Sequence, residues 1–366
     1  MKRQISIHNE IYSIDLNHPV VRFKGNPILT NHDVNRVWKD PQRQVVTVHN
    51  AGITTYRDEI VMLFRSHFRN GISVIGKATS IDGLHNWVVA PEPFLMPGVD
   101  VETENYAISA CLENEAGGVE DPRIACIDNT YYITYSAYHG TINNRVRVSL
   151  ATTTDFNKVV RHGPVQEYDM RNVVIFPEKI QGKYYALFRP NDVLPDDIGG
   201  KYTQIMLGEC DDITGGEWKI NEHPIIRQGG GPSPFSAKIG PGATPLRTKH
   251  GWINIFHGVR NTMDGNPYVL GVALHDLTNP EEVAVSNIPI LFPSKADCIT
   301  HNDDYVHVPN VVFCCGAKRW DDGTIYIYYG GNDTVMNVGI THEDILAELC
   351  HRFPQSTETG QPLYKL

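Results

Sequence analysis

At 366 residues, with 41% hydrophobic and 20% charged residues, the chain is long enough to bury a large core, and its balance excludes disordered, collagen-like and coiled-coil classes. A formal charge of −10 argues against a nucleic-acid partner, whose phosphates want a basic face, although a local cluster of cations can still hold a small anion. No run approaches the roughly 20 apolar residues of a membrane-spanning helix. Met1 to Glu10 carries no apolar run of the kind a secretory signal needs, so the expected compartment is the cytoplasm, with no membrane partner. Seven cysteines, at 111, 126, 210, 298, 314, 315 and 350, form no CxxC pair and no zinc spacing, and read as reduced thiols.

Five strand-like segments recur along the chain: Ile60 to Arg65, Tyr131 to Tyr135, Tyr184 to Arg189, Trp252 to His257 and Ile325 to Tyr329. Four follow a turn cue, at Tyr56-Arg57-Asp58, Asp128-Asn129, Gln181-Gly182 and Asp321-Asp322-Gly323, and the fifth follows Lys249-His250-Gly251. After each comes another strand that closes on an acidic turn, at Asp82, Asp155, Asp211-Asp212, Asp276 and Glu343-Asp344. The starts lie 53 to 73 residues apart, which predicts an all-β, five-bladed β-propeller with a central funnel; a pair of β-sandwiches is the alternative. No linker divides residues 1–366, so one domain with short terminal extensions is predicted, and the only evident helical pattern is Glu343 to Leu349.

The chain has no GxSxG, HExxH, GxxxxGK[ST] or suitably placed GxGxxG motif, and neither histidine nor carboxylate spacing forms a metal-ligand set. Carboxylate chemistry and local cation clusters remain. In Gly118-Val119-Glu120-Asp121-Pro122-Arg123, strand alternation would put Glu120 and Asp121 on opposite faces, and Pro122 would hold Asp121 rigidly; an ordinary Asp-Pro turn is the alternative. Arg65, Arg171, Arg189, Lys238 and, when protonated, His257 sit where strands are predicted to end. Singly, each reads as a surface ion-pair partner; gathered around a propeller axis, they would repel unless an anion joined them. Tyr328 to Asp333 and Pro309 to Phe313 add aromatic faces and amides of the kind sugars require, although a Tyr pair in a strand also suits core packing.

Nearly end to end, the chain resembles glycoside hydrolase family 130, the inverting β-mannoside phosphorylases and related β-mannosidases. The resemblance rests on Asn26 to Thr30, His49 to Gly52, Glu120 to Arg123, Phe176 to Tyr184, Arg189-Pro190, Lys238 to Gly240, His257 to Val259, Leu270 to Leu274, Val308 to Phe313 and Tyr328 to Gly330. It implies Asp121 as general acid, Asn50, Arg65 and Arg123 around a mannosyl subsite, and Asp333 near the acceptor. It also implies a phosphate site of Arg171, Arg189, Lys238, His257 and Tyr268, with inorganic phosphate as co-substrate and no cofactor. Retention of this basic set favours a phosphorylase over the family's hydrolases or a non-catalytic sugar-binding propeller. With phosphate as an already anionic nucleophile, a single carboxyl suffices where an inverting hydrolase needs two. The chain departs from the family pattern at Gly330-Gly331-Asn332-Asp333, where relatives usually have Ala before the Asp, and between Asn191 and Thr203. Linkage, β-1,4 or β-1,2, stays open, and Met1 to Pro19 and the segment after Leu349 are candidates for contact with a second subunit.

Overall fold

Tight turns divide the sequence into antiparallel hairpins. Arg57 (φ 54°), Asp128 and Asn129 (49° and 61°), Gln181 and Gly182 (50° and 85°), Gly251 (140°) and Gly323 (85°) lie in the left-handed region at the turns predicted from sequence. The computed structural model describes residues 1–98, 102–104, 106–191, 203–263, 265–298 and 305–363. The turns lead into the strands Glu59–His67, Thr130–Tyr138, Tyr184–Pro190, Gly251–Val259 and Thr324–Gly331. Each is the second strand of a blade. The inner strands before them are His49–Tyr56, Gly118–Ile127, Met170–Ile175, Lys238–Pro241 and Val312–Arg319, and the third strands are Ser73–Ser80, Val146–Thr153, Met206–Cys210, Tyr268–His275 and Val335–His342. Val21–Arg22 pairs with Val335–His342, so a strand from near the N-terminus completes the last blade. The result is a five-bladed β-propeller.

Alternation along the second strands explains their nearly continuous apolar runs. Ile60, Met62 and Phe64 pack toward blade five, whereas Val61 and Leu63 pack toward blade two, so both faces of the blade are buried. Further clusters fill the spaces between blades two and three, three and four, and four and five. Each third strand of the first four blades is followed within two residues by an aspartate, and Asp82, Asp155, Asp212 and Asp276 all accept backbone N–H groups two or three residues on.

Besides Glu343–Arg352, two short α-helices among the described residues, Asn31–Val37 and Ile108–Glu115, escaped the sequence reading. The first carries a readable signal, a reciprocal cap between Thr30 and Asp33. The terminal segments proposed for a second subunit pack on their own chain. Ile5, Ile7, Tyr12 and Ile14 of the N-terminal hairpin join the core between blades five and one, and Pro354–Gln355 adds to blade four. Five of the seven free cysteines are buried and Cys126 and Cys298 are half-buried. Among the described residues no helix is long and apolar enough to cross a membrane.

Candidate active site

Three inner strands share one irregularity, a register slip that contains a left-handed residue. The pairing register slips between His49 and Gly52, opposite Glu120 to Arg123, and between Arg171 and Val174. At each slip one residue is left-handed: Asn50 (φ 49°), Asp121 (50°) and Asn172 (56°). Asn and Asp tolerate that conformation better than most residues, and a bulge re-aims its side chain. All three side chains line an axial cavity of about 380 Å³, together with Arg65, Arg171, Arg189, Lys238, Tyr268, Phe313 and Asp333.

The bulge at Asp121 overturns the alternation expected for Glu120 and Asp121. Both reach the Arg65 guanidinium: Nη2 donates to Glu120 Oε1 at 2.6 Å and Nη1 to Asp121 Oδ1 at 3.0 Å. Asn50 Nδ2 donates to the same Asp121 oxygen at 3.0 Å. Arg65 is fixed further by His67, whose Nε2 lies 3.0 Å from Nη2, and burial and Arg65 push the His67 imidazole down to about 2. Burial alone would raise the Asp121 carboxyl, but Arg65 and Arg123 outweigh it and hold it well below the usual carboxylate range.

Arg123 and His257 stand one layer behind the cavity wall. Arg123 is 2% exposed and braces two bulges, donating to the Asp121 carbonyl at 2.7 Å and to Asn172 Oδ1 at 2.8 Å. It therefore holds the frame of the predicted mannosyl subsite without lining the cavity. His257 is fully buried, with Nε2 facing Arg189 Nη1 at 3.4 Å and Asn172 Nδ2 at 3.5 Å. Burial and the neighbouring Arg189 and Arg123 push its imidazole far down, so it is a neutral acceptor and the charge expected of a protonated His257 is absent.

The remaining cations form one side of the cavity. Burial and Arg171 lower Arg189 to about 10, and burial, Arg189 and Arg171 lower Lys238 to about 8. The Lys238 ammonium stands 4.8 Å from the Tyr268 ring centre. Arg189 Nη2 donates to Asn191 Oδ1 at 2.8 Å, and neither Arg189 nor Lys238 has a carboxylate ion pair among the described residues. Arg171 meets the Tyr138 hydroxyl and lies 3.8 Å from Glu120 Oε2. Such a set is electrostatically incomplete and fits an oxyanion. Among the described residues, the groups of three metal-ligating side chains lie away from this cavity.

Asp333 follows Asn332 in a left-handed pair (φ 48° and 51°), and His49 Nδ1 lies 3.4 Å from its Oδ1. Burial raises this carboxyl, while His49 and Arg65 more than offset the effect and leave it lowered. The family departure at Asn332 has a local reason: its Oδ1 accepts the Val311 N–H at 3.1 Å, and Ala would bear the left-handed conformation less well. Gly330 is required by close approach, since a Cβ there would stand 2.4 Å from Asn50 Oδ1. Tyr328 and Tyr329 are fully buried core residues. Of the other departure, residues 192–202 lie outside the described residues.

Sequence reasoning missed Asn172, Glu120 as a partner of Arg65, and the His49 and His67 supports. A signal for the first existed: His49-Asn50, Glu120-Asp121 and Arg171-Asn172 are equivalent pairs in successive repeats.

The sequence profile of glycoside hydrolase family 130, described as beta-1,4-mannooligosaccharide phosphorylase, matches residues 17–352. The 1,2-beta-oligomannan phosphorylase of Thermoanaerobacter sp. (strain X514) is 36% identical over 273 residues, covering 74% of this chain and 78% of its own. The beta-1,2-mannobiose phosphorylase of Listeria innocua is 32% identical over 372 residues, covering 87% and 94%. The structure of Listeria innocua beta-1,2-mannobiose phosphorylase with beta-1,2-mannobiose superposes with a TM-score of 0.72 at 26% identity, covering 90% of this chain and 99% of the other. By sequence profile, by curated relatives and by the propeller that frames its cation-lined cavity, the chain belongs to glycoside hydrolase family 130.

Proposed function

We propose that this enzyme is an inverting phosphorylase of β-1,2-linked mannosides that releases α-mannose 1-phosphate and a shortened acceptor. The observation that carries the reading is the pairing of Asp121 with buried Arg189 and half-buried Lys238, two cations without a carboxylate ion pair among the described residues, in one cavity. A phosphate seated against Arg171, Arg189 and Lys238, with the Tyr268 hydroxyl beside it, arrives as an anion and needs no base. Its oxygen forms a bond to the anomeric carbon as the glycosidic C–O bond breaks on the opposite face. Asp121 supplies the proton to the departing oxygen and then regains one from solvent. Asn50 and Arg65 position both the carboxyl and the sugar, Arg123 and His257 hold the wall from behind, and Asp333 faces the acceptor. The relatives at 36% and 32% identity are named for β-1,2 linkages, which supports that linkage over the β-1,4 linkage in the family profile's description.

One observation favours a second reading. Asp333 is another carboxylate in the same cavity, and as a base it would give phosphate-independent inverting hydrolysis. A panel of β-1,2- and β-1,4-mannobiose, with and without phosphate, separates the two. Mannose 1-phosphate formed only with phosphate, and faster from the β-1,2 substrate, is the expected result. Free mannose released equally without phosphate would select hydrolysis, and no turnover of either disaccharide would refute both.

A further inference from the structure

The aspartate that closes each of the first four blades uses one carboxylate oxygen to cap its own turn. At Asp82 this oxygen, Oδ1, accepts the backbone N–H of Leu84 at 2.9 Å and of His85 at 2.8 Å, and the Ser80 hydroxyl at 3.1 Å. The carboxylate plane is thereby fixed, and Oδ2 faces outward. Two imidazoles converge on it: His85 Nδ1 at 2.8 Å and His8 Nε2 at 3.0 Å. His8 is presented by the tip of the N-terminal hairpin, where it and Asn9 are left-handed (φ 49° and 68°). His85 is held edge-on against Phe23 with ring centres 5.3 Å apart, and against His8 at 5.0 Å. Sequence spacing could not show this set, because His8 lies 74 residues from Asp82.

We propose that His8, Asp82 and His85 form a surface site for a divalent transition ion, zinc or nickel in type, that fastens the N-terminal hairpin to the outer turn of blade one. The three ligand atoms lie within 4.8 Å of one another. A tetrahedral ion about 2.1 Å from each ligand wants them roughly 3.4 Å apart, so Asp82 Oδ2 would open from each imidazole by about half an ångström. A tautomer shift gives each facing imidazole nitrogen a lone pair without changing its charge, and the turn donors on Oδ1 supply the outer support that orients a ligating carboxylate. Two imidazoles and one carboxylate select zinc, nickel or copper over magnesium and calcium. The half-exposed histidines leave the fourth position to water, so the site is a clasp, separate from the axial cavity.

The test is calorimetric titration of the chain, free of any histidine tag, with zinc and with calcium, beside His8→Ala and His85→Ala. One zinc per chain, binding more than about tenfold tighter than in either variant, is the expected result, with a rise of a few degrees in Tm at saturating zinc that both variants lose. Neither residue reaches the cavity, so basal phosphate-dependent turnover should be unchanged in both variants, which shows that they are folded. Absence of zinc binding, equal affinity in the variants, or calcium binding as tight as zinc would overturn the assignment.

Discussion

Raising the pH should strip the cavity of phosphate affinity through a single group. Lys238 is held at about 8 by burial and by Arg189 and Arg171, so its charge is present below that value and is lost as pH rises through it. Arg189, at about 10, keeps its charge across the same window. At about pH 9 roughly one Lys238 in eleven remains protonated, and if only that form binds, the apparent phosphate KM climbs about tenfold per pH unit above 8, or ~1.4 kcal/mol per unit. Bound phosphate favours the ammonium, so kcat at saturating phosphate should hold to higher pH than kcat/KM. Lys238→Arg keeps a charge throughout; its phosphate KM, raised at neutral pH by the bulkier guanidinium, should then stay flat to about pH 9. Initial rates with varied phosphate, saturating mannoside and constant ionic strength read the effect. A wild-type phosphate KM that does not move between about pH 7 and 9, or an alkaline rise that survives in Lys238→Arg, would refute the reasoning.

Other residues give sharper losses. Asp121→Asn should lower turnover by about 10²–10⁴-fold while calorimetry shows mannoside binding retained; an unchanged rate removes Asp121 from the acid role. Glu120→Gln takes one of two carboxylates from buried Arg65 and the only carboxylate near Arg171 among the described residues. It should cost about 1–3 kcal/mol, seen as a lower Tm, and raise the phosphate KM; equal Tm and KM would mean that Glu120 holds neither arginine. Gly330→Ala places a methyl 2.4 Å from Asn50 Oδ1 and should push Asn50 from Asp121, lowering kcat/KM for mannoside by more than about tenfold. Wild-type kinetics in that variant would show that Asn50 does not need its position.

The propeller was legible because its signals are local. A second strand with both faces buried must be apolar at consecutive positions, as Ile60 to Phe64 is, and a hairpin needs left-handed residues such as Asn129 or Gly182 at fixed places. The residues that meet in the cavity were legible as a set but less so as geometry. Alternation separates Glu120 from Asp121 only in a regular strand; one left-handed residue at Asp121 brings both carboxylates to Arg65. Arg123 and His257 carry the family's motif, yet motif position does not distinguish a side chain in the cavity from one bracing its wall. Burial decides that, and burial is set by what neighbouring blades place in front. The short helix Asn31–Val37 escaped because seven residues give too little periodicity, and only its cap spoke for it.

The proton on Asp121 ties the two halves of the cavity together. In the free protein its carboxyl is ionised, since Arg65 and Arg123 overcome burial, and in that state it cannot act as an acid. Sugar entering the cavity removes the remaining water, and phosphate entering on the Arg189 and Lys238 side brings negative charge into the same space. At an effective dielectric of about 20, each unit of negative charge about 6 Å away raises a carboxyl by ~2 pKa units, and a dianion by about twice that. That is the scale required to bring a strongly depressed carboxylate toward working pH. In the proposed mechanism phosphate then has two roles, as nucleophile and as the charge that allows Asp121 to hold a proton. Sharing of Arg65 with Glu120 serves the same end, because a guanidinium divided between two carboxylates depresses Asp121 less than one committed to it alone. A second anion that binds the cation side without attacking should therefore also raise the Asp121 midpoint. Infrared titration of the carboxyl with and without sulfate measures this: an upward shift is expected, and a midpoint indifferent to sulfate would leave desolvation by the sugar as the sole means of raising it.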